Sequence, residues 1–126
     1  MKFSGLISAV VLMVGFVNYA YAGPNHDLTP KHGGIVAESK EVTLELVISG
    51  DKASLYISDH GKVPNMKELK GKLTILSGSV KTEYSLTPGE RNLIASGIPT
   101  LSKGTVLVAS ITGYQGKALN ARFTIK

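Results

Sequence analysis

The chain of 126 residues contains no cysteine and no tryptophan, and aromatic residues make up only 6% of it. Without thiols the protein cannot form disulfides, a cysteine-based zinc or iron–sulfur site, a cysteine nucleophile or a lipid anchor on cysteine. Charged residues are also sparse, at 18%, whereas 43% of the residues are hydrophobic. This balance is typical of a folded chain rather than a disordered one, and the length fits one domain.

The N-terminal 22 residues have the three parts of a signal peptide. Lys2 is the only charge in this segment, residues 6–17 form an apolar run, and Ala20-Tyr21-Ala22 places small residues at the positions that signal peptidase reads. The apolar run is shorter than the roughly 20 residues that a membrane-spanning helix needs. The sequence therefore predicts export, cleavage after Ala22 and no membrane span in the mature protein.

The rest of the chain is predicted to be one domain behind a short leader. Residues 23–31 contain two prolines and no periodicity, which predicts a flexible leader before a single domain over residues 32–126. Lysine and arginine outnumber aspartate and glutamate by 14 to 9, but the basic residues are spread along the chain. Because a nucleic-acid-binding surface needs a denser basic patch with interleaved aromatics, we expect no nucleic-acid partner.

Apolar and polar residues alternate along most of the domain, which is the period of a half-buried strand. Residues 42–48 and 53–57 show it most clearly, and Ser49-Gly50-Asp51-Lys52 between them predicts a β-hairpin. Two further hairpins are predicted, one turning at Ser77-Gly78-Ser79 and one at residues 113–116.

Shorter segments complete the predicted fold. Residues 35–38 and 92–95 also fit strands, and residues 65–69 are the best helical candidate, with room for about one turn. Seven to eight short strands in a domain of this size predict an all-β, antiparallel β-sandwich of the immunoglobulin-like kind. A small β-barrel is the alternative, because periodicity does not separate the two.

The sequence lacks the local motifs of common enzyme classes. No G-x-S-x-G nucleophile elbow, no G-x-x-x-x-G-K-[ST] phosphate loop and no G-x-G-x-x-G in a strand–helix context occurs. The few carboxylates show no obvious pairing along the chain. We therefore expect a protein that is not an enzyme and that holds no organic cofactor.

The histidines are the residues best suited to chemistry. His26 lies in the leader, His32 precedes two glycines and the first strand, and His60 follows Asp59 where a hairpin strand enters a loop. Imidazole suits Zn²⁺, Cu²⁺ and Ni²⁺, whereas the thioether of Met66, the one methionine left after signal cleavage, suits Cu⁺. The Asp59 carboxylate would be a further ligand or would hold an imidazole in one tautomer.

The same residues also have a structural interpretation. His32 would cap a turn, Asp59 and His60 would form a hydrogen-bond network at the end of a strand, and Met66 would pack against its neighbours. Their spacing matches no recognised set of metal ligands, and a single methionine is unlike the methionine-rich cuprous carriers. Residue chemistry alone favours the structural interpretation.

Five segments, in order along the chain, resemble a known group of exported proteins. They are His32-Gly33-Gly34 and residues 44–47, 55–62, 72–78 and 121–124. Their order is similar to that in small periplasmic proteins associated with heavy-metal efflux systems of the resistance–nodulation–division type. It is also similar to segments fused to the periplasmic adaptor subunits of those pumps. The resemblance covers nearly the whole mature chain.

The resemblance implies a β-sandwich in the periplasm of a Gram-negative bacterium, linked to copper, zinc or related cations. The His-Gly-Gly element falls on His32, and the Asp-His element falls on Asp59 and His60, whereas His26 precedes the matching region and Met66 lies in a variable loop. We expect a metal-handling accessory protein of heavy-metal efflux or resistance, which binds copper or zinc and has the pump's adaptor as partner. The alternative is a non-catalytic interaction module that docks on such an adaptor without its own metal site.

Overall fold

The computed structural model describes residues 28–126, so the predicted signal peptide and most of the leader, His26 included, lie outside the described residues. The described chain forms eight strands: β1 (Ile35–Ser39), β2 (Val42–Ser49), β3 (Lys52–Ser58), β4 (Lys70–Ser77), β5 (Val80–Pro88), β6 (Asn92–Ser96), β7 (Val106–Tyr114) and β8 (Lys117–Thr124). A 3₁₀ helix over Met66–Glu68 confirms the short helical turn predicted there. Within residues 28–126 no helix has both the length and the apolar character to cross a membrane.

The eight strands form one antiparallel sheet in the order β1-β2-β3-β6-β5-β4-β7-β8. The two outermost strands are in contact: the Asn120 N–H in β8 donates a hydrogen bond to Ser39 Oγ in β1 at 3.0 Å. The sheet is therefore nearly closed. The predicted all-β, antiparallel fold of seven to eight short strands is confirmed, and the small β-barrel that the sequence left open is also consistent with the arrangement.

Four hairpins connect neighbouring strands through two-residue turns. Gly50 and Gly78 begin two of these turns with φ of +62°, and Gln115 and Gly116 form a third with φ of +51° and +74°. Positive φ at these positions matches the right-handed twist of the flanking strands. The fourth turn, at Lys40-Glu41, also has positive φ at both residues but contains no glycine, and the sequence did not reveal it.

The interior of the sheet is filled by the apolar residues of the alternating pattern. The most completely buried large side chains are Phe123, Leu44, Leu46, Leu55, Ile57, Leu73, Leu93, Leu107, Ile111 and Leu119. Since successive side chains of a strand point to opposite faces, the residues between the core positions of β2 and β3 face outward. Two cross-strand pairs of this outer face, Glu45 with Tyr56 and Thr43 with Ser58, are the base on which the candidate site is built.

Candidate functional site

A short segment before β1, residues 31–34, lies across the outer face of β2, and we call it the strap. The carboxylate of Glu45 accepts hydrogen bonds from the main-chain N–H groups of Lys31 at 3.0 Å, His32 at 2.8 Å and Gly34 at 2.8 Å. It also lies 3.0 Å from His32 Nδ1. Glu45 is on the outer face of its strand, yet the strap leaves it only 4% exposed. The carboxylate is therefore buried with four hydrogen-bond donors.

The two glycines of the His-Gly-Gly element allow this wrapping for different reasons. Gly33 has φ of +76°, a left-handed conformation that side chains rarely adopt. Gly34 lies against the main chain of β2, where an added Cβ would be 2.3 Å from the carbonyl oxygen of Leu46. Successive N–H groups that converge in this way form a concave site for an anion, and here the anion is the protein's own carboxylate.

The imidazole of His32 is held at one face and at one edge of the ring. Its plane stacks on the ring of Tyr56, with centroids 3.7 Å apart and an angle of 6° between the planes. Burial raises the pKa of Glu45, but the His32 hydrogen bond and the main-chain N–H groups outweigh burial and hold the pKa below its usual value. Glu45 is therefore ionised at neutral pH. The His32 side chain remains 45% exposed, so one edge of the ring faces solvent.

The second histidine lies in a tight turn after β3. His60 and Gly61 have φ of +53° and +87°, and the turn is closed by two main-chain hydrogen bonds between Asp59 and Lys62, at 2.8 and 3.0 Å. Asp59 Oδ1 lies 2.8 Å from His60 Nδ1. The turn therefore places an aspartate and the following histidine in contact, as the structural interpretation of the sequence predicted.

Asp59 is held from the other side by a tyrosine that is distant in sequence. The hydroxyl of Tyr114, at the end of β7, donates a hydrogen bond to the second carboxylate oxygen of Asp59. This bond, followed by the bond from His60, holds the pKa of Asp59 below its usual value. The same contact raises the pKa of Tyr114 to about 12. Asp59 is thus ionised at neutral pH and links β7 to His60.

His32 and His60 line the same cleft, which has a volume of about 430 Å³. The strap forms one wall, the turn after β3 forms the other, and the outer face of β2 and β3 forms the floor. Most lining residues belong to these three parts, and the rest come from adjoining chain, from β1 and its turn into β2, and from the loop before β6: Thr29, Lys31, His32, Val36, Glu41, Thr43, Glu45, Tyr56, Ile57, Ser58, His60, Gly61, Val63 and Arg91. The structure therefore places the two histidines that the sequence selected in the lining of one cleft.

The two carboxylates determine which imidazole nitrogen carries the proton. An ionised carboxylate only accepts hydrogen bonds, so Nδ1 of His32 and Nδ1 of His60 each carry a proton. In a neutral imidazole the lone pair then lies on Nε2. Carboxylate–histidine contacts of this kind orient the metal-binding histidines of known metalloproteins and raise their basicity.

The remaining candidate residues lie elsewhere. Within residues 28–126, no group of three or more histidine, aspartate or glutamate residues is placed to hold a metal ion. Met66 is 3% exposed in the hydrophobic core and is not among the cleft residues. Asp59 contacts His60 rather than lining the cleft, which fits the orienting role that the sequence left open, and His26 is outside the described residues.

The sequence did not single out Glu45, Tyr56 or Tyr114 as site residues. Glu45 and Tyr56 occupy ordinary outward positions of alternating strands, so nothing local separates them from solvent-exposed residues. The sequence predicts a turn at Tyr114, whereas in the structure Tyr114 is the last residue of β7 and is buried. Only the pairing of distant segments shows that these residues hold the two histidines.

Comparison with known proteins adds no relative. No family model matches the chain, and neither a search of curated proteins nor a search of solved structures finds a significant match. The resemblance to periplasmic proteins of heavy-metal efflux therefore stays a prediction from the sequence.

Proposed function

We propose that the protein is a non-catalytic metal-binding protein that holds a copper or zinc ion between Nε2 of His32 and Nε2 of His60. The observation that carries the proposal is that these two histidines, from distant parts of the chain, line one cleft with each Nδ1 on an ionised carboxylate.

The donor set supports a labile site rather than a permanent one. Structural zinc sites are usually closed by four protein ligands, and two imidazoles leave positions for water or for groups of another protein. An ion held in this way can be passed on. Copper is favoured over zinc at nitrogen ligands by the general affinity order of divalent metals.

The sequence resemblance supports the biological setting of the proposal. A labile site would suit an exported accessory protein of heavy-metal efflux or resistance that supplies metal to, or senses metal for, a periplasmic pump adaptor. The predicted signal peptide supports a periplasmic location, and the lack of catalytic motifs supports a role other than an enzyme.

The first test is a titration of purified, chelator-stripped protein with Cu²⁺, Zn²⁺ and Ni²⁺ at neutral pH, and with Cu⁺ under reducing conditions. We expect one ion per chain by calorimetry, with NMR shifts at the imidazoles of His32 and His60. Metal ligation requires neutral imidazoles, so affinity should fall in acid. Affinity that is unchanged at pH 5 would exclude histidine ligation.

Matched variants separate the site from surface binding. The pair His32→Ala and His60→Ala, made singly and together, should abolish stoichiometric binding, whereas His26→Ala should retain it because our proposal does not include His26. If the double variant binds as tightly as the parent, the proposed site is wrong.

The cleft lining favours one second candidate function. Val36, Tyr56 and Val63 add apolar surface to the cleft, and Arg91 adds a positive charge. These groups would suit a peptide segment of a partner, as in the interaction module that the sequence left open. Binding to an adaptor by metal-free protein that survives the double histidine substitution would favour this alternative over metal handling.

A further inference from the structure

Strand β5 is paired along only one of its edges for most of its length. One edge pairs with β4 from Val80 to Leu86, whereas the other edge meets β6 only through Thr87 and Pro88. Among residues 28–126, no strand pairs with this second edge between Val80 and Leu86. We call it the open edge.

The register of the β4–β5 hairpin determines which main-chain groups point to the open edge. Ser77 and Val80 flank a two-residue turn and form a hydrogen-bonded pair, so the N–H and C=O of Val80 point to β4. Because these directions alternate along a strand, the main-chain N–H and C=O groups of three other residues point to the open edge: Lys81, Glu83 and Ser85. Thr87 continues this series and is a residue that pairs with β6, which agrees with the assignment.

The open edge is accessible. The four residues from Val80 to Glu83 are all exposed, and Val80 is 62% exposed despite its apolar side chain. Residues 99–102 face this part of β5 across a cleft of about 280 Å³ rather than pairing with it. Unpaired strand edges are templates for another strand, and prolines, bulges and charged side chains are the usual protection. Between Val80 and Leu86 there is no proline, and the single lysine is balanced by a single glutamate.

The side chains of this segment are complementary to those of a second copy in the antiparallel direction. When Thr82 of one copy lies opposite Thr82 of another, Lys81 faces Glu83 and Val80 faces Tyr84, twice each by symmetry. Opposite charges and apolar–aromatic contacts at directly opposed positions both stabilise strand pairs. Registers centred on Lys81 or on Glu83 would instead place like charges opposite each other. Among these three registers, charge therefore favours the one centred on Thr82.

The same register also provides hydrogen-bond partners for the outward main-chain groups. The outward groups of Lys81 and Glu83 would form four N–H···O=C hydrogen bonds across the pair, and Thr82 would occupy the non-hydrogen-bonded position on the axis. The registers centred on Lys81 and on Glu83 would also form main-chain hydrogen bonds, so the side-chain charges distinguish the three. The observation that carries the inference is an exposed, unpaired edge whose side chains pair with those of a second copy without like-charge contacts.

We propose that two copies of this protein associate through the open edges of β5, antiparallel, about a two-fold axis at Thr82. The interface uses the same patch on both copies, as a two-fold dimer requires. It is small, so the dimer is weak and depends on concentration. The interface does not include the cleft with His32 and His60, so dimer formation and metal binding are tested independently.

Sedimentation equilibrium of charge variants tests the proposal. Lys81→Glu and Glu83→Lys each place like charges opposite each other at two positions, and each should weaken the self-association about tenfold. An equimolar mixture of the two variants restores opposite charges at both positions, so mixed dimers should form. Lys52→Glu, a charge reversal at the exposed first residue of β3, should leave the association unchanged.

Three other results would overturn the proposal. A parent protein that stays monomeric at the highest soluble concentration would exclude the dimer. Association that persists in both single variants, or that the mixture does not restore, would place any dimer on another surface. Thermal melting of each variant confirms that it is folded, and the mixture makes the result independent of small losses in stability.

The absence of cysteine allows a second test that locates the axis. Thr82→Cys places one thiol on the axis, where directly opposed Cβ atoms are close enough for a disulfide. Mild oxidation should cross-link this variant faster than Ser85→Cys, which lies on the same strand away from the axis. Equal rates of cross-linking would exclude the register centred on Thr82.

Discussion

Glu45 on β2 binds both the main-chain N–H and the Nδ1 atom of His32, at 2.8 and 3.0 Å. One carboxylate therefore fixes the path of the strap and the orientation of the imidazole that the strap carries. The structural interpretation of the His-Gly-Gly element and the metal-binding interpretation are consequently compatible. The glycines build a wrapped carboxylate, and the wrapped carboxylate orients a histidine toward the cleft.

The first prediction concerns the stability that Glu45 provides. Glu45→Gln keeps the shape of the side chain but turns an amide NH₂ toward N–H donors, which leaves buried donors unpaired. We expect the free energy of unfolding to fall by about 2–3 kcal/mol, as measured by urea denaturation. The exposed Glu90→Gln is the matched control and should have little effect. A loss of similar size in both variants would contradict the role of Glu45.

The second prediction is a dependence of stability on acid pH. The pKa of Glu45 is lowered from 4.5 in the folded protein, so its contribution is present above that pH and is lost as pH falls through the folded-state pKa. The parent protein should therefore lose stability below about pH 4.5 more steeply than Glu45→Gln. Parallel acid profiles of the two proteins would show that Glu45 is not the group responsible.

The third prediction separates the two glycines of the strap. Gly33→Ala places an alanine in a left-handed backbone conformation, with its Cβ in open space. It should lower the free energy of unfolding by about 1 kcal/mol. Gly34→Ala drives a Cβ into the main chain of β2 and should cost about 2–3 kcal/mol or detach the strap. Denaturation gives the energies, and hydrogen exchange of the strap amides shows detachment. Equal effects of the two substitutions would contradict the close contact at Gly34.

The fourth prediction concerns Tyr114 at alkaline pH. Its pKa is raised from 10 to about 12 by the Asp59 carboxylate, so its contribution to stability is complete below pH 10 and is lost as pH rises toward 12. Absorbance titration of the folded protein should show one tyrosine that ionises late. Tyr114→Phe should remove this late step and leave the others unchanged. Asp59→Asn is the control, and it should move the late step back toward the usual range.

The local structure follows from neighbouring residues in the chain. Alternation of apolar and polar residues predicts most of the strands, and glycine at turn positions predicts three of the four hairpins. The sequence also selected His32, Asp59 and His60, because histidines beside glycine or aspartate are chemically distinctive. These features are set by neighbours in the chain, since alternation and φ preferences are local properties.

How those local elements meet depends on the packing of distant segments. The sheet order brings β3 beside β6 and β4 beside β7, which no local pattern specifies. The outward position of Glu45 predicts a solvent-exposed side chain, but the strap covers it. The hydrogen bond from Tyr114 to Asp59 joins residues 55 positions apart. Burial and long-range hydrogen bonds depend on which distant segments pack together. For that reason the shared cleft of His32 and His60, and the open edge of β5, become visible only once the chain is folded.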